Sequence, residues 1–121
     1  MCTSSEALVF SHCPPLNTSA DIFRKKPTEG HGGSADLRKF VEEHPVQAVF
    51  SGHIHQSCIL SGTFEDRIGE ARVYSVGNTG IDGPVYFRKC FALLYDSETR
   101  ECKRLEKDVE AHSDYLSRVF E

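Results

Sequence analysis

Two short apolar runs, each followed by a histidine, organise the first half of the chain. Residues 6–11 end just before His12, and residues 46–51 end just before Gly52 and His53. Apolar runs of this length, bounded by Pro, Gly and polar residues, are typical of buried strands. The pattern therefore predicts two strands, the first of them buried, each followed by a histidine at its carboxyl end.

A helix is predicted between these strands, from Ser34 to about His44. Ser34 is a favourable N-cap, and Asp36 places a negative charge in the first turn, where the helix dipole favours it. Pro45 stops the helix. The apolar stripe at spacing i, i+3, i+4 consists of Leu37, Phe40 and Val41. The strand–helix–strand order predicts a parallel pair of strands joined by a right-handed crossover.

The remaining pattern is less regular. Residues 13–34 contain many Pro, Gly and Asn breakers and are predicted to form a long loop, of the kind that is functional or disordered. After residue 56, short apolar runs separated by turns predict antiparallel strands. These runs are 57–64, 72–76, 86–95 and 101–105. Residues 109–120 have helical spacing, so a docked helix is expected in the tail.

Composition narrows the class of protein. The chain has 121 residues, 39% of them hydrophobic and 26% charged, which is typical of a globular domain. The net charge of −4 argues against a general nucleic-acid-binding surface. The apolar runs are far shorter than the roughly 20 residues that span a membrane. Five cysteines form no CxxC pair, and the first six residues are not a secretory signal, so we expect reduced thiols and a cytoplasmic protein.

The histidines carry the candidate chemistry. His12 and His53 follow the two strands, and the carboxyl ends of strands in an open α/β sheet are where ligands bind. His55 lies two residues after His53, and in an extended segment the two imidazoles point to the same side. Gly52 is expected to let the backbone turn just before them. We therefore predict a metal site formed by His12, His53 and His55. The alternative is that these are polar loop residues at a sheet edge.

A second histidine lies in a glycine-rich loop, Gly30-His31-Gly32-Gly33-Ser34, that opens the predicted helix. Such a loop offers free N–H groups to an anion, and His31 is a candidate substrate contact. The alternative is a flexible loop with an ordinary cap. Cys13 and Cys58 flank the histidine motifs, and one of them would complete a mononuclear zinc site in a further alternative. The histidines expected at the surface are His44 and His112.

Four segments together resemble one protein family. Residues 11–15 (SHCPP), 30–34 (GHGGS), 51–57 (SGHIHQS) and 76–78 (VGN) resemble the C-terminal half of a calcineurin-like metallophosphoesterase, and most of all the small Icc-type phosphodiesterase-like proteins. The similarity covers about residues 6–96. It implies an α/β fold, namely half of an α-β-β-α sandwich with a mixed sheet and one crossover helix at about 34–44. Residues 1–106 would be the domain part and residues 107–121 a C-terminal tail.

The resemblance also implies an activity. Members of the family are hydrolases that bind two metals, typically manganese, iron or zinc, and cleave phosphomonoesters or phosphodiesters. By resemblance, His12 and His53 would bind one metal and His55 the other. Two neighbouring cations can activate a water and clamp the phosphate oxygens of the substrate. The substrate class is therefore a phosphate ester, while its identity and that of the metal stay open.

Three family motifs are absent from the chain. They are Asp-x-His, Gly-Asp-x-x-Asp and Gly-Asn-His-Asp/Glu, which lie N-terminal to the matching region in the family. The aspartates that fit none of them are Asp21, Asp66, Asp82 and Asp96. We therefore expect an incomplete site that is inactive in the isolated chain, as in a fragment, a splice form or a truncated gene model. The alternative is a non-catalytic module whose exposed apolar face, left by the missing half, binds a second copy or a protein partner.

Overall fold

The computed structural model describes residues 6–25, 28–77 and 89–108. The chain divides into two compact units, one up to Gly77 and one from Asn78 onward. The elements of the first unit are β1 (Ala7–Ser11), β2 (Ile22–Lys25), β3 (Thr28–His31), α1 (Ala35–Glu43), β4 (Val46–Ser51), α2 (Ser57–Ser61), β5 (Glu65–Ile68) and β6 (Ala71–Ser75). The second unit contains β7 (Lys89–Asp96) and β8 (Glu101–Asp108).

A four-stranded mixed sheet in the order β1-β4-β6-β5 forms the centre of the first unit. β1, β4 and β6 are parallel, and β5 is antiparallel to β6. Helix α1 connects β1 to β4, so the predicted parallel pair is confirmed. The α/β class, the mixed sheet and the helix at about 34–44 are likewise confirmed.

The two faces of this sheet differ in character. Val49 and Val73, both fully buried, lie in a core cluster with Val41 of α1. Phe10, Phe50 and Tyr74 are aligned across β1, β4 and β6 and stack in a row, with ring centroids 5.0 Å and 5.5 Å apart. The helix therefore covers the valine face, and aromatic rings line the other.

The strand at residues 6–11 was expected to be buried, and for β1 this expectation is wrong, whereas β4 is largely buried. Four of the six β4 residues are buried. β1 forms an edge of the sheet among the described strands, and Phe10 is 75% exposed. A run of apolar residues indicates a strand, but it does not reveal whether the strand lies at the centre or at the edge.

Helix α1 begins and ends as predicted. The Ser34 side chain accepts a hydrogen bond from the Leu37 N–H at 3.0 Å, and His44 is the C-cap. Val41 is buried, and Leu37 packs partly against the core. Phe40 is 44% exposed instead and stacks on the His44 ring, with centroids 4.2 Å apart.

Residues 13–34 are more ordered than a long loop. They contain a hairpin in which β2 and β3 pair antiparallel, with an ion pair between Arg24 and Glu29 across the two strands. The preceding turns are attached to α1, because the Arg38 guanidinium donates to the carbonyls of Leu16 and Asn17, each at 3.0 Å. Strands of four residues with few apolar side chains leave little periodicity in the sequence.

Two further segments differ from expectation. Residues 57–64 were expected to be a strand, but Ser57–Ser61 form α2, which ends at Gly62 in a left-handed conformation (φ 78°). The polar strand β5 was not expected. The predicted strands near 72–76, 86–95 and 101–105 correspond to β6, β7 and β8, and β7 and β8 pair antiparallel.

Several expectations fall partly or wholly outside the described residues. These are residues 86–88, Asn78, Asp82, His112 and the tail from 109 onward. The strand β8 continues to Asp108, past the expected domain boundary at 106. Within the described ranges, no helix has the length and apolar character needed to cross a membrane.

Candidate functional site

The structure brings His12 and His53 together at one end of the central sheet. Ser11 and Ser51 are paired in register at the ends of β1 and β4, so the next residues emerge side by side. The Gly52 N–H donates to the His12 carbonyl at 3.3 Å. The two imidazole rings are in contact, with centroids 4.7 Å apart and an angle of 57° between their planes. Both residues are exposed.

The backbone at His53 is strained. Its φ is +65°, in the left-handed region, and a hydrogen bond of 2.7 Å from the Ile54 N–H to the Gly52 carbonyl closes a three-residue γ-turn around it. The expectation that Gly52 supplies the turn is therefore wrong. A side chain at Gly52 would meet nothing within 4 Å. Strain held at a histidine instead of being relieved by a glycine is typical of functional sites.

His55 does not join this pair in a three-ligand group. The segment after β4 is a turn and not an extended strand, so the alternation assumed from the sequence does not apply. His55 is exposed in that turn, just before α2. Across 6–25, 28–77 and 89–108, no three His, Cys, Asp or Glu residues are arranged to hold a metal ion.

Asp21 is a functional candidate that the sequence analysis missed. Its side chain is fully buried, and its two oxygens accept hydrogen bonds from three backbone N–H groups, at 2.9, 3.1 and 3.0 Å. Those donors are Asn17, Thr18 and Gly33. The same carboxylate contacts Nδ1 of His31, whose side chain is 41% exposed. Asp21 matches no motif, and only the folded turn brings its partners to it.

Backbone N–H groups of the glycine-rich loop already donate hydrogen bonds to other groups of the protein. The Gly32 N–H donates to the Asp21 carbonyl, the Gly33 N–H to the Asp21 carboxylate, and the Ser34 N–H to the Pro14 carbonyl, at 2.9, 3.0 and 2.8 Å. These are the groups that were expected to be free for an external anion, and that expectation is wrong. The loop binds an internal anion, Asp21.

Close backbone packing joins this loop to the segment after His12. A Cβ on Gly33 would lie 2.7 Å from backbone atoms of both Pro14 and Pro15, so only glycine fits there. Pro15 and Ser34 form an isolated parallel bridge. His12 and His31 are therefore carried by two segments that run alongside each other.

The hairpin also packs against the segment that carries His53 and His55. A Cβ on Gly32 would lie 3.4 Å from Cδ1 of Ile54. The Arg24 N–H donates to Oε1 of Gln56 at 2.8 Å. The segments that carry all four candidate histidines thus meet at the carboxyl ends of β1 and β4.

The remaining candidates have other surroundings. Cys13 is exposed, whereas the Cys58 thiol is buried and donates to the Ser75 carbonyl at 3.4 Å. His44 is exposed at the end of α1, as expected. Gly77, in the segment 76–78 that carries part of the resemblance, has a φ of +81°.

Comparison of the chain with protein-family models, with curated proteins and with solved structures gives no match.

Proposed function

We propose that this chain supplies the histidine side of a metal-dependent phosphoesterase that hydrolyses phosphomonoesters or phosphodiesters. The observation that carries the proposal is the contact between the His12 and His53 rings at the carboxyl ends of two adjacent parallel strands. That edge is where open α/β sheets bind ligands, and imidazole is a common ligand of first-row metals.

The residues present fit part of a metal site. Two exposed imidazoles in contact are suitable ligands for one divalent cation, manganese, iron or zinc, and His55 follows closely in the chain. When bound, such a cation supplies a water of lowered pKa and positive charge for the phosphate oxygens. The other ligands of a two-metal site are not grouped with these histidines in the described residues. The chain alone is accordingly proposed to bind metal without turnover.

Metal binding and hydrolysis test this proposal separately. In NMR spectra, Zn²⁺ is expected to shift the ring resonances of His12 and His53, and His53→Ala is expected to abolish that effect. His44→Ala is the matched control, because His44 is an exposed histidine at the C-cap of α1, before β4 begins, whereas His12 and His53 follow the ends of β1 and β4. If Zn²⁺ leaves both rings unchanged, the metal site and the proposed function are wrong.

Hydrolysis of bis(p-nitrophenyl) phosphate with Mn²⁺ is the second measurement. No turnover is expected from either the original chain or His53→Ala. Turnover that disappears in His53→Ala would mean that the chain completes a working site by itself or across a dimer. That result would support the phosphoesterase activity and contradict the proposal that the site of the isolated chain is incomplete.

A second candidate function is supported by the edge strand β1. Phe10 is 75% exposed and Leu8 39% exposed on a strand that forms a sheet edge among the described strands. Exposed apolar edge strands pair readily with other strands. A non-catalytic module would use this edge to bind a second copy of the chain. Light scattering would then show a dimer that Phe10→Lys converts to a monomer, whereas a monomer at all concentrations contradicts this function.

A further inference from the structure

We infer that Asp21 and His31 form a carboxylate–imidazole pair in which Asp21 is a positioning residue and His31 binds an oxygen of the phosphate ester through Nε2. The inference rests on the proposed phosphoesterase function. It goes further by naming a group that contacts the substrate and a buried group that orients it.

The hydrogen bonds around Asp21 determine which atom carries the proton. Three of its partners are backbone N–H groups, which can only donate, so the carboxylate oxygens act as acceptors. The contact with Nδ1 of His31 therefore has the proton on Nδ1. A histidine held in this way presents Nε2 on its opposite side, as in other sites where a carboxylate fixes the ring. Because a phosphate oxygen is an acceptor, Nε2 must also carry a proton in the bound form, and the ring then donates from both nitrogens, from Nδ1 to Asp21 and from Nε2 to the phosphate.

The surroundings indicate that Nε2 is available to a ligand. The His31 side chain is 41% exposed, while Asp21 is completely buried beneath it. The following residue, Gly32, lies against Ile54, between His53 and His55. A phosphate held beside the His12–His53 pair would thus lie next to the segment that carries His31. Since the N–H groups of Gly32 and Gly33 are already engaged, the imidazole is the group of this loop that remains for the anion.

A purely structural role is the competing explanation, because Asp21 also ties Asn17, Thr18 and Gly33 together. The substitution His31→Asn separates the two roles. The side-chain amide of asparagine can replace Nδ1–H as a donor to Asp21, but it has no counterpart of Nε2. A structural contact would survive this change, and a substrate contact would not.

The experiment is an NMR titration of the Zn²⁺-loaded chain with inorganic phosphate. Long-range ¹H–¹⁵N spectra of the original chain are expected to show the proton on Nδ1 of His31 and a phosphate-dependent shift at Nε2. His31→Asn is expected to unfold at the same urea concentration and to bind phosphate roughly tenfold more weakly, since a charge-assisted hydrogen bond is lost. Asp21→Asn places an NH₂ group against backbone donors. In this variant the spectra are expected to lose the signature of the proton on Nδ1 of His31.

The outcomes are distinguishable from failure of the proposed function. Phosphate binding that leaves Nε2 unmoved and is equally tight in His31→Asn overturns the role of His31, while the metal site stands. A proton on Nε2 in place of Nδ1 overturns the positioning role of Asp21. Failure of the proposed function is seen separately, as an absence of Zn²⁺-dependent shifts in the His12 and His53 rings.

Discussion

At the scale of single residues, chemistry and backbone preference conflict at position 53. An imidazole is placed in a left-handed conformation that costs a residue with a Cβ about 1–2 kcal/mol. The glycine next to it has neither a positive φ nor a close neighbour. The local sequence therefore suggests Gly52 as the turn residue, whereas the left-handed conformation lies at His53.

Replacing His53 by glycine should stabilise the fold relative to alanine. His53→Gly is expected to have a free energy of unfolding about 1 kcal/mol higher than His53→Ala, because glycine adopts φ near +65° without a steric penalty. Urea denaturation of the two variants measures this, and both lack the imidazole, so metal binding does not enter. Equal stabilities would show that the turn is not strained.

Gly33 and Gly52 are expected to respond differently to alanine. Gly33→Ala should lower the free energy of unfolding by about 1–3 kcal/mol, because the new Cβ would lie 2.7 Å from the Pro14 and Pro15 backbone. Gly52→Ala is the matched control and should change it by less than about 0.5 kcal/mol. Thermal unfolding of both variants checks the pair, and a tolerated Gly33→Ala would contradict the close approach.

The sequence reveals those site residues that follow strands. His12 and His53 are recognisable because each follows an apolar run, and the two runs prove to be neighbours in the sheet. Asp21 could not be recognised, because the turn in which Asn17 and Thr18 donate to it matches no motif, and Gly33 and His31 reach it only once β2 and β3 pair. The extended backbone assumed for His53 to His55 is wrong, because a γ-turn at His53 ends the alternation.

At the scale of elements, the sequence predicts an element correctly where several local signals coincide. Helix α1 has a cap, a stripe and a terminating proline, and its bounds agree with expectation. Helix α2 lacks a side-chain cap bond and spans only Ser57–Ser61, so its apolar run is equally typical of a strand. The strand β5, with sequence EDRI, is polar at three of four positions and owes its place to pairing with β6.

The cap of α1 should make a measurable contribution. Ser34→Ala is expected to lower the free energy of unfolding by about 1 kcal/mol, because the Leu37 N–H loses its acceptor. Ser34→Asp keeps an acceptor and should remain within a few tenths of the original value. Far-UV circular dichroism during urea titration gives both values, and equal loss in the two variants would argue against capping.

At the scale of the whole molecule, metal binding should be coupled to stability. The His12–His53 contact exists only when β1 and β4 are paired, so a cation bound there favours the folded chain.

Zn²⁺ at 100 times its dissociation constant should raise the free energy of unfolding by about 2.7 kcal/mol. Differential scanning fluorimetry is expected to show an increase in Tm for the original chain and for His44→Ala. His12→Ala should show none, since it removes one imidazole of the pair. An equal rise in His12→Ala would place the binding elsewhere.

The register of β1 against β4 changes by one residue near the start of the strand. Ala7 is level with Val46, whereas Leu8 is level with Ala48, and this offset continues to Ser11 and Ser51. Without that irregularity, His12 would be displaced along the sheet by one residue, about 3.3 Å, and the alternation of faces would be inverted. The spacing of the two imidazoles is thus set at the opposite end of the strand. An insertion or deletion near Ala7 would change the contact between His12 and His53 at a distance, and under the proposed function Zn²⁺ affinity would report on strand alignment.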